Sequence, residues 1–558
     1  MKYLLTALVA ALLWADNATA QNLVRGPYLQ MPTSSSIILR WRTDAPSIGR
    51  VNYGSAANAL TQQLEETTAT TEHEIKITGL QPYTTYYYSV GNGATRLAGG
   101  NNQHHFKTSP VIGTVQPIRI WAIGDFGKAN QEQIQVRQSF QNYSQGKETD
   151  VWIWLGDNAY QDGTDAEYQA KVFDATYGYD SLFRFMPFMP CPGNHDYNLI
   201  APPFSNINPV NHTGAYYDIV NVPTQGEAGG VPSGHELYYS YDYGNVHMIA
   251  LNSELGSLGS AANDWIGINS MNTFTTSPML EWLRDDLEAN TKPWVIAYFH
   301  QPPYTKGSHS SDDAIEIYMK AMRQNYIPVL EEYGVDLVIN GHSHVYERSF
   351  PIEGHYGNSS SWDAAANLVS PQCGHDQIGE PYVKYTFGPN KNRGTIYAVV
   401  GCSASKETGS SLNHPVMCYS AGGDSIIGSF IIEVNGNRLD AHFLRADGAL
   451  LDSFTIMKVD TTVGIVDVSS PVRDVKVYPN PFSGKTNISY SLATGSTVTL
   501  ELFDLSGHMW RLQSHTEQPA GEHQFVLDAK KYNLAAGSYI FQVKTQDGNF
   551  TQRLLYVE

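Results

Sequence analysis

The sequence predicts a multidomain chain in which an α/β layered core lies between two all-β modules. Its 558 residues are enough for several domains of ordinary size. Both ends carry short runs of alternating apolar and polar residues bounded by turn residues, which is the pattern of half-buried strands. The middle carries near-continuous apolar runs that alternate with helix-period segments, which is typical of buried sheets flanked by helices. We expect a signal peptide at 1–20 and domains at 21–110, 117–460 and 470–558.

Composition and charge narrow the classes of function. With 42% hydrophobic and 16% charged residues the chain is globular, which excludes a wholly disordered or coiled-coil protein. The formal net charge is −19 and there is no basic tract, so we expect no nucleic-acid scaffold to bind through the bulk field. An anionic small substrate stays possible, because a bound metal ion can reverse the local field.

The first twenty residues have the three parts of a secretory signal peptide in order. Lys2 supplies a short basic region, Leu4–Trp14 is an apolar run too short to span a bilayer, and Ala18-Thr19-Ala20 is a cleavage site. We therefore expect the mature chain to begin at Gln21. A buried amino-terminal helix is the alternative reading. No later apolar run reaches the roughly 18 residues of a membrane span, so no transmembrane segment is expected.

Four cysteines, Cys191, Cys373, Cys402 and Cys418, remain for the mature chain. They lack the C-x-x-C spacing of a thiolate metal site or a redox motif, and export makes disulfides possible. Cys402 and Cys418 could close a short loop, which would leave Cys191 to pair with Cys373. Three pairings are open on the sequence alone.

The amino-terminal module has short alternating runs at the spacing of a β-sandwich. Trp41 lies within such a run and is expected in the module's core. The segment Leu80-Gln-Pro-Tyr-Thr-Thr-Tyr86 resembles the tyrosine-bearing corner of fibronectin type III-like domains. A module of this kind usually supports or orients a neighbouring domain.

Five apolar runs of the middle region end in clusters able to bind a metal. The clusters are Gly124-Asp125-Phe126-Gly127, Gly156-Asp157-Asn158-Ala159-Tyr160, Gly193-Asn194-His195-Asp196, His300 and Gly341-His342-Ser343-His344. Each cluster alone is a weak signal, but sites of α/β sheets lie beyond the carboxyl ends of the strands, where these clusters would meet. Together they suffice for two metal ions about 3.5–4 Å apart, with Asp157 as the shared carboxylate. Oxygen and imidazole ligands suit Fe, Mn or Zn.

In this order the five clusters match the motifs of the calcineurin-like metallophosphoesterases, and more narrowly they resemble those of purple acid phosphatases. Many relatives have D-x-H in the first motif, whereas here Gly127 replaces that histidine and Tyr160 follows the shared carboxylate. A phenolate is a hard anionic donor and favours a trivalent ion. The resemblance implies that Asp125, Asp157, Tyr160 and His344 hold Fe(III), and that Asp157, Asn194, His300 and His342 hold a divalent Zn, Mn or Fe ion.

The resemblance further implies a secreted acid phosphatase that hydrolyses phosphate monoesters, with attack by a hydroxide on or between the metals. His195 is expected to hydrogen-bond the phosphoryl oxygens or the leaving group, and Asp196 to orient His195. His309 lies nine residues after His300, where plant-type relatives carry a substrate histidine. We expect it to protonate the leaving group. Relatives often have a second histidine next to it, but this chain has Ser310.

The carboxyl-terminal module resembles the sorting domain of the type IX secretion system. The resemblance is carried by Val477-Tyr-Pro-Asn-Pro-Phe482, Asp504-Leu-Ser-Gly507 and Leu534-Ala-Ala-Gly-Ser-Tyr539. It implies that the type IX machinery is a partner and that the chain is released or attached to the outer cell surface. A carbohydrate-binding or adhesive sandwich is the alternative for this module.

Two other functions remain open for the whole chain. The same dinuclear site could serve a phosphodiesterase or a nucleotidase, since this superfamily includes both. The flanking β modules would also suit a surface binding protein with a vestigial site, although every expected ligand is present. The sequence leaves open the physiological ester, the divalent metal and the oligomeric state.

Overall fold

A computed structural model describes residues 21–557, except 94, 198–212, 255–276, 374–380, 389, 407–410, 423–425, 460–471, 493, 505–507 and 546–548. The expected signal peptide lies outside the described residues. The chain divides into two compact units that separate after Met457, and Val383–Lys391 belongs to the second unit. The amino-terminal module and the α/β core therefore share one unit.

The amino-terminal module is a sandwich of two antiparallel sheets. One sheet has the order β1-β2-β5 and the other joins β4, β3, β6 and β7, with β8 paired to β6. The strands are β1 (Leu23–Gln30), β2 (Ser36–Ser47), β3 (Gly49–Gly54), β4 (Gln62–Glu65), β5 (Thr70–Thr78), β6 (Thr85–Asn92), β7 (Thr95–Gly99) and β8 (His105–Lys107). Trp41 is buried in the module's core, as predicted. The Tyr86 hydroxyl accepts a hydrogen bond from the Gln81 N–H (3.0 Å), which closes the expected tyrosine corner.

The core contains two large mixed sheets. In the first sheet, the neighbours run from β11 through β10, β9, β20 and β21 to β22; in the second the order is β12-β13-β14-β15-β18-β16-β19. The strands are β9 (Ile118–Ile123), β10 (Val151–Leu155), β11 (Phe188–Cys191), β12 (Tyr239–Tyr243), β13 (Val246–Ala250), β14 (Trp294–Phe299), β15 (Leu337–Asn340), β16 (Tyr346–Ser349), β17 (Tyr382–Tyr385), β18 (Ile396–Val400), β19 (Met417–Ala421), β20 (Gly428–Asn435), β21 (Arg438–Arg445) and β22 (Leu450–Val459).

Short helices connect these strands. They are α1 (Gln131–Tyr143), α2 (Asp165–Glu167), α3 (Asp180–Phe183), α4 (Ala215–Ile219), α5 (Pro278–Ala289), α6 (Ile317–Ala321), α7 (Ile327–Glu332) and α8 (Ala364–Asn367), with π-helical turns at Tyr168–Val172 and Met322–Tyr326 and a 3₁₀ turn at Ser359–Ser361. Apolar residues at helical spacing over 278–290 and 313–333 predict two of these helices. Helix α5 begins at Pro278, after the capping hydroxyl of Ser277, as predicted. In the second segment the helix begins only at Ile317, and Glu316 lies before it.

Parallel pairing determines where the site lies. Strand β10 pairs in parallel with both β9 and β11, and β15 pairs in parallel with both β14 and β18. Every residue of β9, β10 and β14 is buried, so the continuous apolar runs of the sequence fill the space between layers. The loops that follow these strands therefore emerge on one edge of each sheet.

The disulfide expected between Cys402 and Cys418 is wrong, and so is the pairing of Cys191 with Cys373. Cys373 is bonded to Cys418, with Cα atoms 6.3 Å apart, while Cys191 and Cys402 are free and buried. Cys191 ends β11 and Cys402 follows β18, so both lie in the apolar interior, whereas Cys418 lies in the half-exposed strand β19. The spacing of cysteines in a sequence does not show which of them lie on neighbouring strands, so it could not predict this pairing.

The second unit has an all-β core of its own. Its sheets have the orders β23-β24-β27 and β26-β25-β28-β29. The strands are β23 (Val472–Tyr478), β24 (Lys485–Leu492), β25 (Ser496–Asp504), β26 (Met509–Gln518), β27 (Gly521–Asp528), β28 (Gly537–Lys544) and β29 (Asn549–Tyr556). Their alternating burial, as in β24, is the half-buried pattern seen in the sequence.

Candidate metal centre

The loops after β9 and β10 place two carboxylates side by side in strained backbone. Asp125 and Asp157 have φ values of 57° and 50°, and His342, after β15, has a φ of 66°. Side chains with a Cβ rarely adopt this left-handed region, and such strain gathers at functional sites. Asp125 and Asp157 are both almost fully buried. The structure thus places three of the predicted ligand residues in left-handed backbone.

Asp157 contacts both halves of the predicted centre. Its Oδ2 accepts a hydrogen bond from the Tyr160 hydroxyl (3.0 Å), and the same hydroxyl lies 3.0 Å from Asp125 Oδ1. Its Oδ1 lies 3.3 Å from His300 Nε2. His344 Nε2 lies 3.5 Å from Asp125 Oδ1. The structure thus brings the four residues assigned to the iron half into one cluster, with Asp157 at its border.

The three other residues assigned to the divalent half meet at one point. The Asn194 side-chain oxygen lies 3.1 Å from His300 Nε2 and 3.0 Å from His342 Nδ1, and the two ring nitrogens are 3.2 Å apart. The His300 Nδ1–H donates to the Leu155 carbonyl (2.8 Å), which leaves Nε2 with a lone pair directed at the cluster. Ligand atoms of Asp157, His300 and His342 all lie within 4.8 Å of one another.

The electrostatics of these side chains fit a bound cation. Burial, Asp125 and Asp157 raise the pKa of Tyr160 well above its usual value, so its proton stays between two carboxylates, where a cation would replace it. Burial lowers the pKa of His342 to about 4, which keeps this imidazole neutral and able to ligate. Burial lowers and Asp157 raises the pKa of His300, to about 10, so without a metal its imidazole holds a proton that a bound cation would have to displace.

The backbone around Gly127 leaves no space for a side chain, so a histidine cannot occupy this position of the first motif. A Cβ built on Gly127 would lie 1.9 Å from the carbonyl oxygen of Asn158. The backbone N–H of Tyr160 donates to the Gly127 carbonyl (2.9 Å), so the first and second motifs are in backbone contact. Any side chain at residue 127 would separate them and move the Tyr160 phenol away from the carboxylates.

His195 lies next to the cluster with one nitrogen free for a substrate. Its Nδ1–H donates to the Gln161 carbonyl (2.7 Å), and its Nε2 lies 3.8 Å from Asp157 Oδ2. Its ring also lies against Tyr160, with centroids 4.4 Å apart.

Asp196 does not orient His195, contrary to the expectation from the sequence. Its carboxylate accepts hydrogen bonds from the Gly193 N–H (2.8 Å), the Asn158 side-chain amide (3.0 Å) and the Tyr168 hydroxyl (2.7 Å). Burial and Asp157 raise its pKa to about 6. Asp196 therefore joins the third motif to the second through hydrogen bonds. A buried carboxylate needs hydrogen-bond donors, and here both motifs supply them.

His309 lies beside the divalent half, with its ring centroid 4.0 Å from that of His342. Its Nδ1 lies 2.7 Å from Glu316 Oε1. Burial lowers and Glu316 raises the pKa of His309, with a net rise; burial raises and His309 lowers the pKa of Glu316, to about 2. Sequence reasoning missed Glu316. A glutamate seven residues after His309 belongs to no motif, and the sequence pattern places it within an expected helix rather than at a site.

Three family models match the chain in the order of its domains. The purple acid phosphatase amino-terminal domain matches residues 25–108, the calcineurin-like phosphoesterase family matches 118–346, and a secretion system C-terminal sorting domain matches 476–557. The second match contains every predicted ligand. The chain is thus similar to the purple acid phosphatases over residues 25–346. The family is one of metal-dependent phosphoester hydrolases, and a dinuclear centre is typical of it.

Curated relatives carry the same family name. Purple acid phosphatase 15 of Arabidopsis thaliana is 29% identical over 300 residues, which cover 50% of this chain and 49% of the relative. Purple acid phosphatase 1 of Ipomoea batatas is 26% identical over 454 residues, which cover 78% of this chain and 83% of the relative. The chain thus spans about half the length of the first relative and most of the second.

Solved structures share the fold. Purple acid phosphatase PPD1 from yellow lupin (Lupinus luteus) seeds gives a TM-score of 0.52 at 20% identity, covering 78% of this chain and 75% of that one. PhoD gives a TM-score of 0.55 at 15% identity, covering 80% and 92%. The predicted fold class is confirmed for the phosphatase region.

The sorting domain indicates that the chain is exported, to the medium or to the cell surface. Within the part of the chain that the structure describes, no helix combines the length and hydrophobicity that a membrane span requires.

Proposed function

We propose that this chain is an exported acid phosphatase that hydrolyses phosphate monoesters at a dinuclear centre of Fe(III) and a divalent Zn, Mn or Fe ion. The observation that carries the proposal is the convergence on Asp157. Its two carboxylate oxygens contact a phenol on one side and an imidazole on the other. One shared carboxylate between a hard phenolate-carboxylate half and an imidazole-amide half suits two unlike cations.

The proposed ligand sets follow from these contacts. Asp125, Asp157, Tyr160 and His344 would hold the trivalent ion, and Asp157, Asn194, His300 and His342 the divalent ion. The bound ions would supply a water of lowered pKa and would polarise the phosphoryl oxygens.

The other side chains of the site act on the substrate. The Nδ1–H of His195 donates to the Gln161 carbonyl and its Nε2 lies 3.8 Å from Asp157 Oδ2, so the protonated ring can donate from Nε2 to a phosphoryl oxygen. His309, whose positive charge Glu316 stabilises, can give its Nε2 proton to the departing alkoxide. Two donors on separate loops would thus contact the phosphoryl group and the leaving group.

The iron assignment is tested with Tyr160→Phe. Iron-loaded wild-type protein should be coloured by phenolate-to-Fe(III) charge transfer, and the variant should lose that absorption while it keeps its fold, because only the hydroxyl is removed. Absorption spectra and metal analysis of both proteins measure this. A colourless, iron-free and active wild-type enzyme would overturn the iron assignment and leave a metallophosphoesterase with other metals.

A phosphodiesterase or nucleotidase is the second candidate, since the same ligands would serve it. His309 can serve either reaction, because a phosphodiester also releases an alkoxide that a positioned proton donor assists. Initial rates on an aryl phosphate and on the bis-aryl phosphate separate the two. We expect the monoester to be hydrolysed faster; faster hydrolysis of the diester would reverse the assignment.

Export is proposed to use the type IX secretion machinery as partner, on the strength of the matched sorting domain. The oxidised pair Cys373–Cys418 supports an extracytoplasmic destination, because disulfides form in oxidising compartments.

A further inference from the structure

One short helical segment, which we call the bracing helix (residues 165–172), lies between the amino-terminal module and the metal centre. Two arginines of the module hold its first residue. Arg42, on β2, donates to both carboxylate oxygens of Asp165 (2.7 and 2.8 Å), and Arg25, on β1, donates to Asp165 Oδ1 (3.0 Å) and to Gln169 Oε1 (2.8 Å). Arg25 is fully buried, and paired, bidentate contacts of this kind fix orientation as well as position.

The other side of the bracing helix holds the loop of the second motif. Glu167 accepts hydrogen bonds from the backbone N–H groups of Gln161 and Asp162, the residues that follow Tyr160. Lys171 donates to the Tyr160 carbonyl and forms an ion pair with Glu167 (3.0 Å). The backbone on both sides of the Tyr160–Gln161 bond is therefore held by the bracing helix.

The same helix reaches the first and third motifs. The Tyr168 hydroxyl donates to Asp196 (2.7 Å), the carboxylate that joins the third motif to Asn158. The Lys171 carbonyl accepts from the Gln133 side chain (2.7 Å), whose oxygen in turn accepts from the backbone N–H groups that follow Gly127 (3.0 and 2.8 Å). Two of the five loops that carry the proposed ligands thus contact this segment of eight residues directly, and a third is joined to it through Gln133.

We propose that Arg25 and Arg42 are positioning residues for the metal centre: they hold Asp165, orient the bracing helix and so place Tyr160 against Asp125 and Asp157. The inference rests on the proposed function only where it names Tyr160 as an iron ligand. It gives the amino-terminal module a role in the reaction, since a displacement of about 1 Å in a positioned group can lower a rate by about 100-fold.

The chain offers a matched control on the same strand. Arg40, two residues before Arg42 on β2, donates to Asn221 Oδ1 (3.1 Å) and to the Asp218 carbonyl (2.7 Å), which also belong to the core. Arg40→Gln breaks a contact between module and core without touching the bracing helix. Asp165→Asn breaks both arginine pairs with little change of shape at a half-exposed side chain.

The first measurement is amide hydrogen exchange in the metal-free protein. We expect faster exchange across 158–172 in Asp165→Asn and in the double variant Arg25→Gln/Arg42→Gln, and wild-type exchange there in Arg40→Gln. Unchanged exchange in both test variants, or equal acceleration in the control, would overturn the inference. This readout does not require any metal assignment.

The second measurement is the charge-transfer band of the iron-loaded protein, together with kcat and KM. In Asp165→Asn we expect a shifted band and a kcat lowered about 10- to 100-fold at similar KM; in Arg40→Gln both should match the wild type. A coloured wild type whose band and kcat stay unchanged in Asp165→Asn would refute the positioning role. If exchange accelerates as expected while the iron-loaded wild type is colourless, the positioning role of Arg25 and Arg42 is supported and the iron assignment of the proposed function is wrong.

Discussion

Glu316 and His309 show how single residues outside the ligand set shape the chemistry. The carboxylate of Glu316 lies 2.7 Å from His309 Nδ1 and 3.8 Å from His342 Nε2. Burial lowers and Glu316 raises the pKa of His309, with a net rise, whereas burial lowers the pKa of His342 to about 4. The negative charge of Glu316 thus favours the protonated form of the proposed donor, beside an imidazole that favours its neutral form.

Glu316→Gln should lower kcat for an alkyl phosphate by about 10- to 100-fold, because His309 loses the charge that favours its acidic form. Steady-state rates on an alkyl phosphate and on an aryl phosphate with a weakly basic leaving group measure the effect, which should be smaller on the aryl ester.

His309→Ala is the matched variant for this prediction. It should lose a similar factor, and the double variant should lose little more, since both changes remove one donor. Metal content should stay at the wild-type level in all three. Wild-type turnover in Glu316→Gln on the alkyl ester would contradict the role of the pair.

Among the elements, β12, β13 and α5 are joined by a buried ionic cluster that no motif reveals. His247 on β13 lies 2.8 Å from Asp242 on β12 and 2.8 Å from Asp286 on α5, and Lys292 lies 2.9 Å from Asp242. Burial lowers and the two carboxylates raise the pKa of His247, to about 9. The positively charged His247 thus connects β12 and β13 to helix α5.

The pH dependence of stability follows from this cluster. The folded pKa of His247 lies above its unfolded value of 6.5, so its contribution is fully present below pH 6.5 and is lost as the pH rises through 9. A shift of this size corresponds to about 3 kcal/mol. Urea unfolding of the first unit at pH 6 and pH 9.5 measures it.

His247→Gln should flatten that dependence, whereas His442→Gln should keep it. His442 lies on β21 with its ring 2.9 Å from the Ser453 hydroxyl. A wild-type slope in the His247 variant would show that other groups cause the loss of stability at high pH.

Across the whole molecule, the sequence predicted those features that short local patterns of residues determine. Apolar runs followed by polar turns predicted the strands and predicted that the proposed metal ligands would meet, because the carboxyl ends of parallel strands lie at one edge of a sheet. Contacts between distant segments were not predictable. Arg42 and Asp165 are 123 residues apart and each looks like an ordinary surface charge in the sequence. The predicted disulfide pairing was wrong for the same reason. Cys402 and Cys418 are close in sequence, but the packing of the sheets buries Cys402 and pairs Cys418 with Cys373.

The division into two units predicts that the proposed catalytic activity does not depend on the sorting domain. A chain ended after residue 469 retains every predicted site residue, all of which lie in the first unit. It should keep wild-type kcat and KM when purified, while the expressing cells should fail to export it. Kinetics and cell fractionation measure the two effects. A folded but inactive truncated chain would contradict the independence of the catalytic unit.

The left-handed backbone at Asp125, Asp157 and His342 bears on the evolutionary history of the chain. Each such residue costs about 1 kcal/mol or more of folding free energy, and glycine would relieve that cost. A protein that had lost the proposed chemistry would gain stability from glycine at such a position wherever the side chain contributes less than the strain costs. The three strained side chains therefore argue against a binding protein with a vestigial site.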